Sequence, residues 1–309
     1  MPLALINRMV DALRLILISI DKLFVIIYFF YMRYYLETNS IRKLSKYLDN
    51  AFIKKNCFTS IQVFSELLTD INEANFYIKK NVLNKIFESG ISIDWIPPHQ
   101  KQYESFGFFN VKYNLNKDII LLFYDIIKNS ACLSDFNNGI QNYANEYKKL
   151  KDYDKAFETY FKKEMSDKIK DFRSVFSFQE GITVCDDIIE YLNTKKEGII
   201  YFILAMCLVM AEDLYYSDLN KFEKRTIKEI AGSFNGDIII FLIISGVYCI
   251  KKVPRNEQIS RNDFNDLYHL VYANNSIVVS DDNIFSKYMS EIFPDSIIST
   301  VEFEKLLVP

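Results

Sequence analysis

The chain is poor in the residues that punctuate, staple or ligate. Its 309 residues hold eight glycines and six prolines, so turn signals are few and a helix-rich protein with short strands is expected. Histidine occurs twice, as His99 and His269, which argues against a histidine-based zinc site. The five cysteines, Cys57, Cys132, Cys185, Cys207 and Cys249, are odd in number and far apart, and none forms a CxxC pair. That pattern excludes a disulfide frame and reads as free thiols in a reducing, cytoplasmic setting. The phosphate-binding loop, the dinucleotide fingerprint, HExxH and a Ser-His-Asp pattern are all missing, and with them the common rival chemistries. A net charge of −3 is too small to argue for or against nucleic acid, so any phosphate-binding surface must be local.

What is present is apolar bulk. Half the residues are hydrophobic, with 26 Phe and 21 Tyr, enough for a sizeable core. Residues 1–31 are strongly apolar but interrupted by Asp21 and Lys22, and the clean run is about half the ~20 residues of a membrane span. Three readings fit: a helix packed on the domain or a partner, a peripheral membrane anchor, or an upstream extension with Met32 as the natural start.

From residue 33 the pattern alternates. Tyr34–Glu37 reads as a strand, with Thr38, Asn39 and Ser40 as candidate caps for the helix that follows. NCFTS reads as a second strand, and Ser60 can cap the helix carrying Glu66. A further helix stops at Gly90, and ISIDWIPP is a strand ended by prolines. Alternation of this kind predicts a parallel α/β sheet with helical crossovers. Residues 99–254 show no convincing strand and read as a helical insert. Its two most apolar stretches, IIYFILAMCLVMA and IIIFLIISGVYCI, suit buried helices. The sheet pattern returns in 255–309, with IVVS and Ile297–Thr300 as strands. The simplest organisation is one α/β domain from 32–98 and 255–309, interrupted by the insert and preceded by 1–31.

Four acids take comparable places. Glu37 ends the first strand, and Glu66 lies in the helix after the second. Asp266 is near the start of the helix before IVVS, and Asp282 lies just past IVVS beside Asp281. In a parallel sheet these positions gather at the carboxyl-end edge, where ligands bind. Oxygen-only donors suit Mg²⁺ or Mn²⁺, and clustered carboxylates call for a cation to offset their repulsion.

These stretches resemble the motifs of the PIN domain, the metal-dependent nuclease fold of many bacterial toxin ribonucleases. YYLETN is similar to its strand ending in acid-Thr-Asn, and TSIQVFSELL to its Ser-capped helix with a Glu. DLYHLVYA is similar to its third motif, Asp266 with Ala273 seven residues on, and VVSDDNIF to its closing Ser/Thr-x-Asp. Two departures stand out: Glu37 replaces the commoner Asp, and the middle region is much longer than in small toxin members. The resemblance implies a three-layer α/β/α PIN-like fold enlarged by the helical insert. It implies catalytic and metal roles for Glu37, Glu66, Asp266 and Asp282, with Thr38, Asn39, Asp263, Ser280 and Asp281 in support. The implied reaction is endonucleolytic hydrolysis of RNA, or of single-stranded DNA, with Mg²⁺ or Mn²⁺, in a toxin or phage-defence effector. An antitoxin or other protein partner and a homo-oligomer are the implied associations. A non-catalytic PIN-like scaffold and a membrane-associated nuclease are the alternatives.

Each residue also has a plainer role. Asp263 and Asp266 can complement a helix dipole, and Asp281 and Asp282 can form a turn. His269, one turn after Asp266, reads as a satisfied packing residue before it reads as a base. Tyr268, Tyr272 and Trp95 read as core. Lys148, Lys149, Lys151, Lys162 and Lys163 read first as a solvated helix face and second as a phosphate path.

Overall fold

The computed structural model of the chain describes residues 33–109, 111, 115–160, 196–252 and 261–307. Residues 1–31, Lys162, Lys163 and Cys185, and the expectations attached to them, lie outside these. Two compact units divide the chain. One comprises Met32–Pro98, Lys112–Tyr160 and Ser260–Pro309; the other takes in His99–Val111 and the helices described between Lys196 and Lys252.

The first unit is α/β. Its strands are β1 (Arg33–Leu36), β2 (Cys57–Ser60), β3 (Ser92–Asp94), β4 (Ser276–Val279) and β5 (Ile297–Ile298). All pair in parallel, in the order β3-β2-β1-β4-β5. Register is fixed by pairs such as Tyr35 opposite Phe58 on one side and Val278 on the other. The strand order reverses between β1 and β4, which is where an open parallel sheet opens a crevice at its carboxyl edge. The longer helices of this unit are α1 (Thr38–Lys43), α2 (Ala51–Asn56), α3 (Ile61–Leu68), α4 (Phe76–Ser89), α5 (Lys117–Asn129), α6 (Leu133–Gln141), α7 (Ala144–Tyr160), α8 (Arg261–His269) and α9 (Thr300–Leu307).

Local chemistry explains several boundaries. The helix expected after Thr38, Asn39 and Ser40 comes in pieces: α1 ends at Lys43, and the Asn50 side chain accepts from Phe52 N–H to start α2 afresh. Gly90 ends α4 in the left-handed region, at φ 72°, where a Cβ would be strained. The last strand is shorter than expected: Thr300 begins α9 instead of ending β5.

The insert boundary at residue 99 needs correction, since α5, α6 and α7 belong with the sheet. Their apolar faces, among them Phe123, Ile127, Phe136, Tyr147 and Leu150, share one buried core with Leu36, Phe64 and Leu83. Trp95 is half-buried, stacked on Phe64 at 5.4 Å, and Tyr268 and Tyr272 are buried.

In the second unit, helix Lys196–Tyr216 packs on Ile239–Lys252 and Ile227–Gly232. Gly246 allows the first pairing: a Cβ there would meet Met206 Sδ and Phe202 Cζ at 2.8 Å. Thr226 and Glu229 form a reciprocal capping box. Arg225 donates to the Phe106 carbonyl at 3.1 Å and to Ser233 Oγ at 2.5 Å. Among the described residues no helix is long and apolar enough to cross a membrane. Cys57 and Cys207 are buried free thiols and Cys132 a half-buried one; burial pushes the Cys57 thiol up to about 12.

Candidate active site: carboxylates at the sheet edge

Glu37 follows β1 directly and serves as the N-cap of α1. Its carboxylate accepts from Asn39 N–H at 2.6 Å and Ser40 N–H at 2.9 Å. The cap expected of Thr38, Asn39 or Ser40 is therefore supplied by the acid itself. The Ser40 hydroxyl lies within reach of both Glu37 and the Val279 carbonyl, tying α1 to the end of β4. Glu37 is 2% exposed. Burial pushes its carboxyl above the ordinary range, an effect only partly offset by His269 and the cap hydrogen bonds.

Glu66 reaches the same edge from α3 and is nearly saturated with donors. Oε1 accepts from Gln62 Nε2 and faces His269 Nε2, each at 3.0 Å, and Oε2 accepts from the Thr38 hydroxyl. Burial alone would raise Glu66, but the His269 charge and these hydrogen bonds outweigh it and hold the carboxyl below its ordinary value. His269 is 1% exposed. Burial would lower its pKa, yet Glu66, then Glu37 and Asp266, raise it overall. On the far side of the ring, Nδ1 meets Tyr35 Oη at 2.5 Å, and that hydroxyl also bonds Ser60 Oγ at 2.8 Å. Ser60 thus spends its side chain on Tyr35 and makes no side-chain cap on α3.

Asp266 sits on α8, one turn before His269. It is half-buried, and among the described residues its carboxylate accepts no hydrogen bond. Burial, followed by repulsion from Asp282, pushes it up to about 8; Glu66 and Glu37 add to the rise and His269 opposes it. Asp266 is therefore close enough to the other three acids to feel their charge. Asp282 is half-buried in the turn after β4. Its N–H donates to Ser280 Oγ at 3.0 Å, and its Oδ1 accepts from Ile284 N–H at 3.1 Å. Among the described residues, no three His, Cys, Asp or Glu side chains are arranged to hold a metal ion.

The supporting residues divide. Thr38 and the Asn39 N–H donate to Glu66 and Glu37, whereas Ser280 meets only the Asp282 backbone N–H. Asp281 turns away: it pairs with Lys43 at 2.7 Å and accepts from Thr300 N–H at 3.0 Å, capping α9. Asp263 lies in the first turn of α8. Lys148 and Lys151 line an open groove of about 370 Å³ with Tyr147 and Ile140. Asp94 also ends at this edge, where its Oδ1 accepts from Ile96 N–H and shapes a turn.

Tyr35 and Gln62 are participants that sequence reasoning passed over, and His269 is one that it read as packing before it read as a base. The spacing of Asp266 and His269, three apart on one helix face, was the available signal. In comparisons with protein-family models, curated proteins and solved structures, nothing matches this chain.

Proposed function

We propose that the chain is a PIN-like, Mg²⁺- or Mn²⁺-dependent endoribonuclease whose site is built from Glu37, Glu66, Asp266 and Asp282. The observation that carries this reading is Asp266: a half-buried carboxylate with no hydrogen-bond partner among the described residues, close enough to three other acids to feel their charge. Repulsion that His269 only partly offsets fits a hard cation in charge and in donor chemistry. Mg²⁺ keeps several waters and is commonly held by one or two carboxylates plus substrate phosphate, so a full protein cage is not required.

A divalent ion bound there supplies Lewis acidity and an activated water for phosphodiester hydrolysis. The protein's part is to hold Asp266 and Asp282 at the crevice, fix Glu37 through the α1 N-terminus, and fix Glu66 through His269, Gln62 and Thr38. RNA as substrate follows from the family resemblance.

The test is cleavage of RNA by wild type and Asp266→Asn with Mg²⁺, Mn²⁺ or EDTA. Wild type should cut with either metal and stop in EDTA, and the variant should lose about 100-fold or more, the loss typical of perturbing a metal site. Equal cleavage by the variant rules the reading out. A non-catalytic binding role is the second reading, favoured by the absence of a three-ligand group among the described residues; a folded wild type that cuts neither RNA nor DNA with either metal would select it.

A further inference from the structure

In the second unit, Phe222 is 91% exposed and Tyr216 72%, the two most exposed large apolar side chains among the described residues. Both belong to the loop of residues 215–225, at the carboxyl end of helix Lys196–Tyr216. We propose that this loop docks on an anionic lipid surface, with Phe222 and Tyr216 entering the bilayer boundary and Lys224 and Lys228 meeting the headgroups. The loop is built to hold its shape. Asn220 is 5% exposed, and its amide donates to the Tyr215 carbonyl at 3.3 Å and to the Arg225 carbonyl at 2.8 Å. Its Oδ1 accepts from Arg225 N–H at 2.8 Å. One buried side chain thus ties the two ends of the loop together, as in a compact Ω-loop. Arg225 is anchored in turn on the Phe106 carbonyl and on Phe108, whose ring lies 4.8 Å from the guanidinium. Lys224 sits at φ 53°, in the left-handed region that favours glycine. A cation occupies that place despite the strain.

The chemistry of the tip selects lipid as its partner. Phe222 shows water nearly the whole of its ring. A stacked base or a flat protein surface covers one face of such a ring, whereas the acyl boundary of a bilayer surrounds it. Tyr216 suits the headgroup layer, with its ring on the apolar side and its hydroxyl in the wet. The charges of the loop point the same way. Asp218 pairs with Lys221 at 2.6 Å, Glu223 lies 3.4 Å from Arg225, and Glu229 accepts from Thr226 N–H at 2.8 Å. The acids here are therefore spent locally. Lys224 and Lys228 are exposed and have no acid partner among the described residues. Anionic headgroups supply the missing counter-charge. Docking of this kind lies in the plane of the membrane surface and needs no spanning helix. It is independent of the chemistry of the carboxylates.

The experiment is co-sedimentation of the full chain with vesicles of phosphatidylcholine, alone or mixed with phosphatidylserine. The proteins are wild type, Phe222→Ser, Phe222→Trp and Lys224→Gln, each checked for folding by circular dichroism. Residues 1–31, for which the sequence permits a peripheral anchor, stay intact in all of them, so a loss belongs to the loop. Wild type should pellet with the mixed vesicles and less with phosphatidylcholine alone. Phe222→Ser should weaken binding by about fivefold or more. Lys224→Gln should weaken it by about fivefold on the mixed vesicles and leave it unchanged on phosphatidylcholine. Phe222→Trp should bind like wild type, and brominated lipid should quench its added emission, with wild type, whose single tryptophan is Trp95, as the background. Absence of vesicle binding by wild type, or equal binding by Phe222→Ser, overturns the proposal. So does a Phe222→Ser variant that loses affinity for a fluorescent single-stranded RNA, or breaks a wild-type dimer in sedimentation velocity, while vesicle binding is unchanged; the loop would then serve nucleic acid or a second copy of the chain.

Discussion

Replacing Asp266 by Asn should stabilise the metal-free protein near neutral pH. The Asp266 carboxyl is pushed from 3.8 to about 8, chiefly by burial and then by Asp282. An acid whose pKa is higher folded than unfolded binds more protons when folded. Its stabilising contribution is complete below about pH 4 and is lost as pH rises towards 8. At pH 7 the interval spans about three units, and at ~1.4 kcal/mol each the ceiling is about 4 kcal/mol. Asp266 is partly exposed, so solvent screening reduces the expected gain from Asn to about 2 kcal/mol. For a chain of 309 residues that is a rise in Tm of about 3 °C. The assay is thermal unfolding in EDTA at pH 5, 6, 7 and 8, with the gap widening as pH rises. Mg²⁺ should then narrow the gap by stabilising wild type alone. An Asn variant no more stable than wild type at pH 8 would show that the charge of Asp266 is not the strained element.

Other perturbations separate structure from chemistry. Asp281→Ala should cost about 1 kcal/mol through the lost α9 cap and its partly exposed pair with Lys43, measured by urea unfolding, and should leave RNA cleavage intact; a dead enzyme would move Asp281 into the site. Glu37→Ala should cost about 1–2 kcal/mol, because two α1 N–H groups lose their acceptor; a neutral result in urea would mean that water replaces the cap freely. Gly246→Ala should destabilise by about 1–3 kcal/mol, since its Cβ would meet Met206 and Phe202 at 2.8 Å; unchanged stability would mean those side chains yield without strain.

Much of the sheet was legible because its signals are local. Short β-branched or aromatic runs bounded by polar steps marked all five strands, and acids at strand ends marked the edge. What failed was long-range. The helices over 117–160 have apolar faces like those of any helix, and nothing along the chain says that Phe123, Phe136 and Tyr147 fill the core beneath Phe64. Glu37 was legible as an acid at a strand end, but its capping role depends on the turn into α1. His269 reads as packing because its partners, Tyr35 and Glu66, lie 234 and 203 positions away. Pairings at such separations leave no trace in spacing.

The central position of β1, with β2 on one side and β4 on the other, has a consequence for synthesis. Proteins are made from the N-terminus, so β1 to β3 emerge with Glu37 and Glu66 while the neighbour on the other side of β1 has yet to be translated. Until then β1 is an open edge, and Glu66 lacks both its partner His269 and its companions Asp266 and Asp282. The site cannot assemble before the chain has been built past residue 282. Whatever chemistry the four acids serve, a nascent chain cannot perform it until the last strands dock.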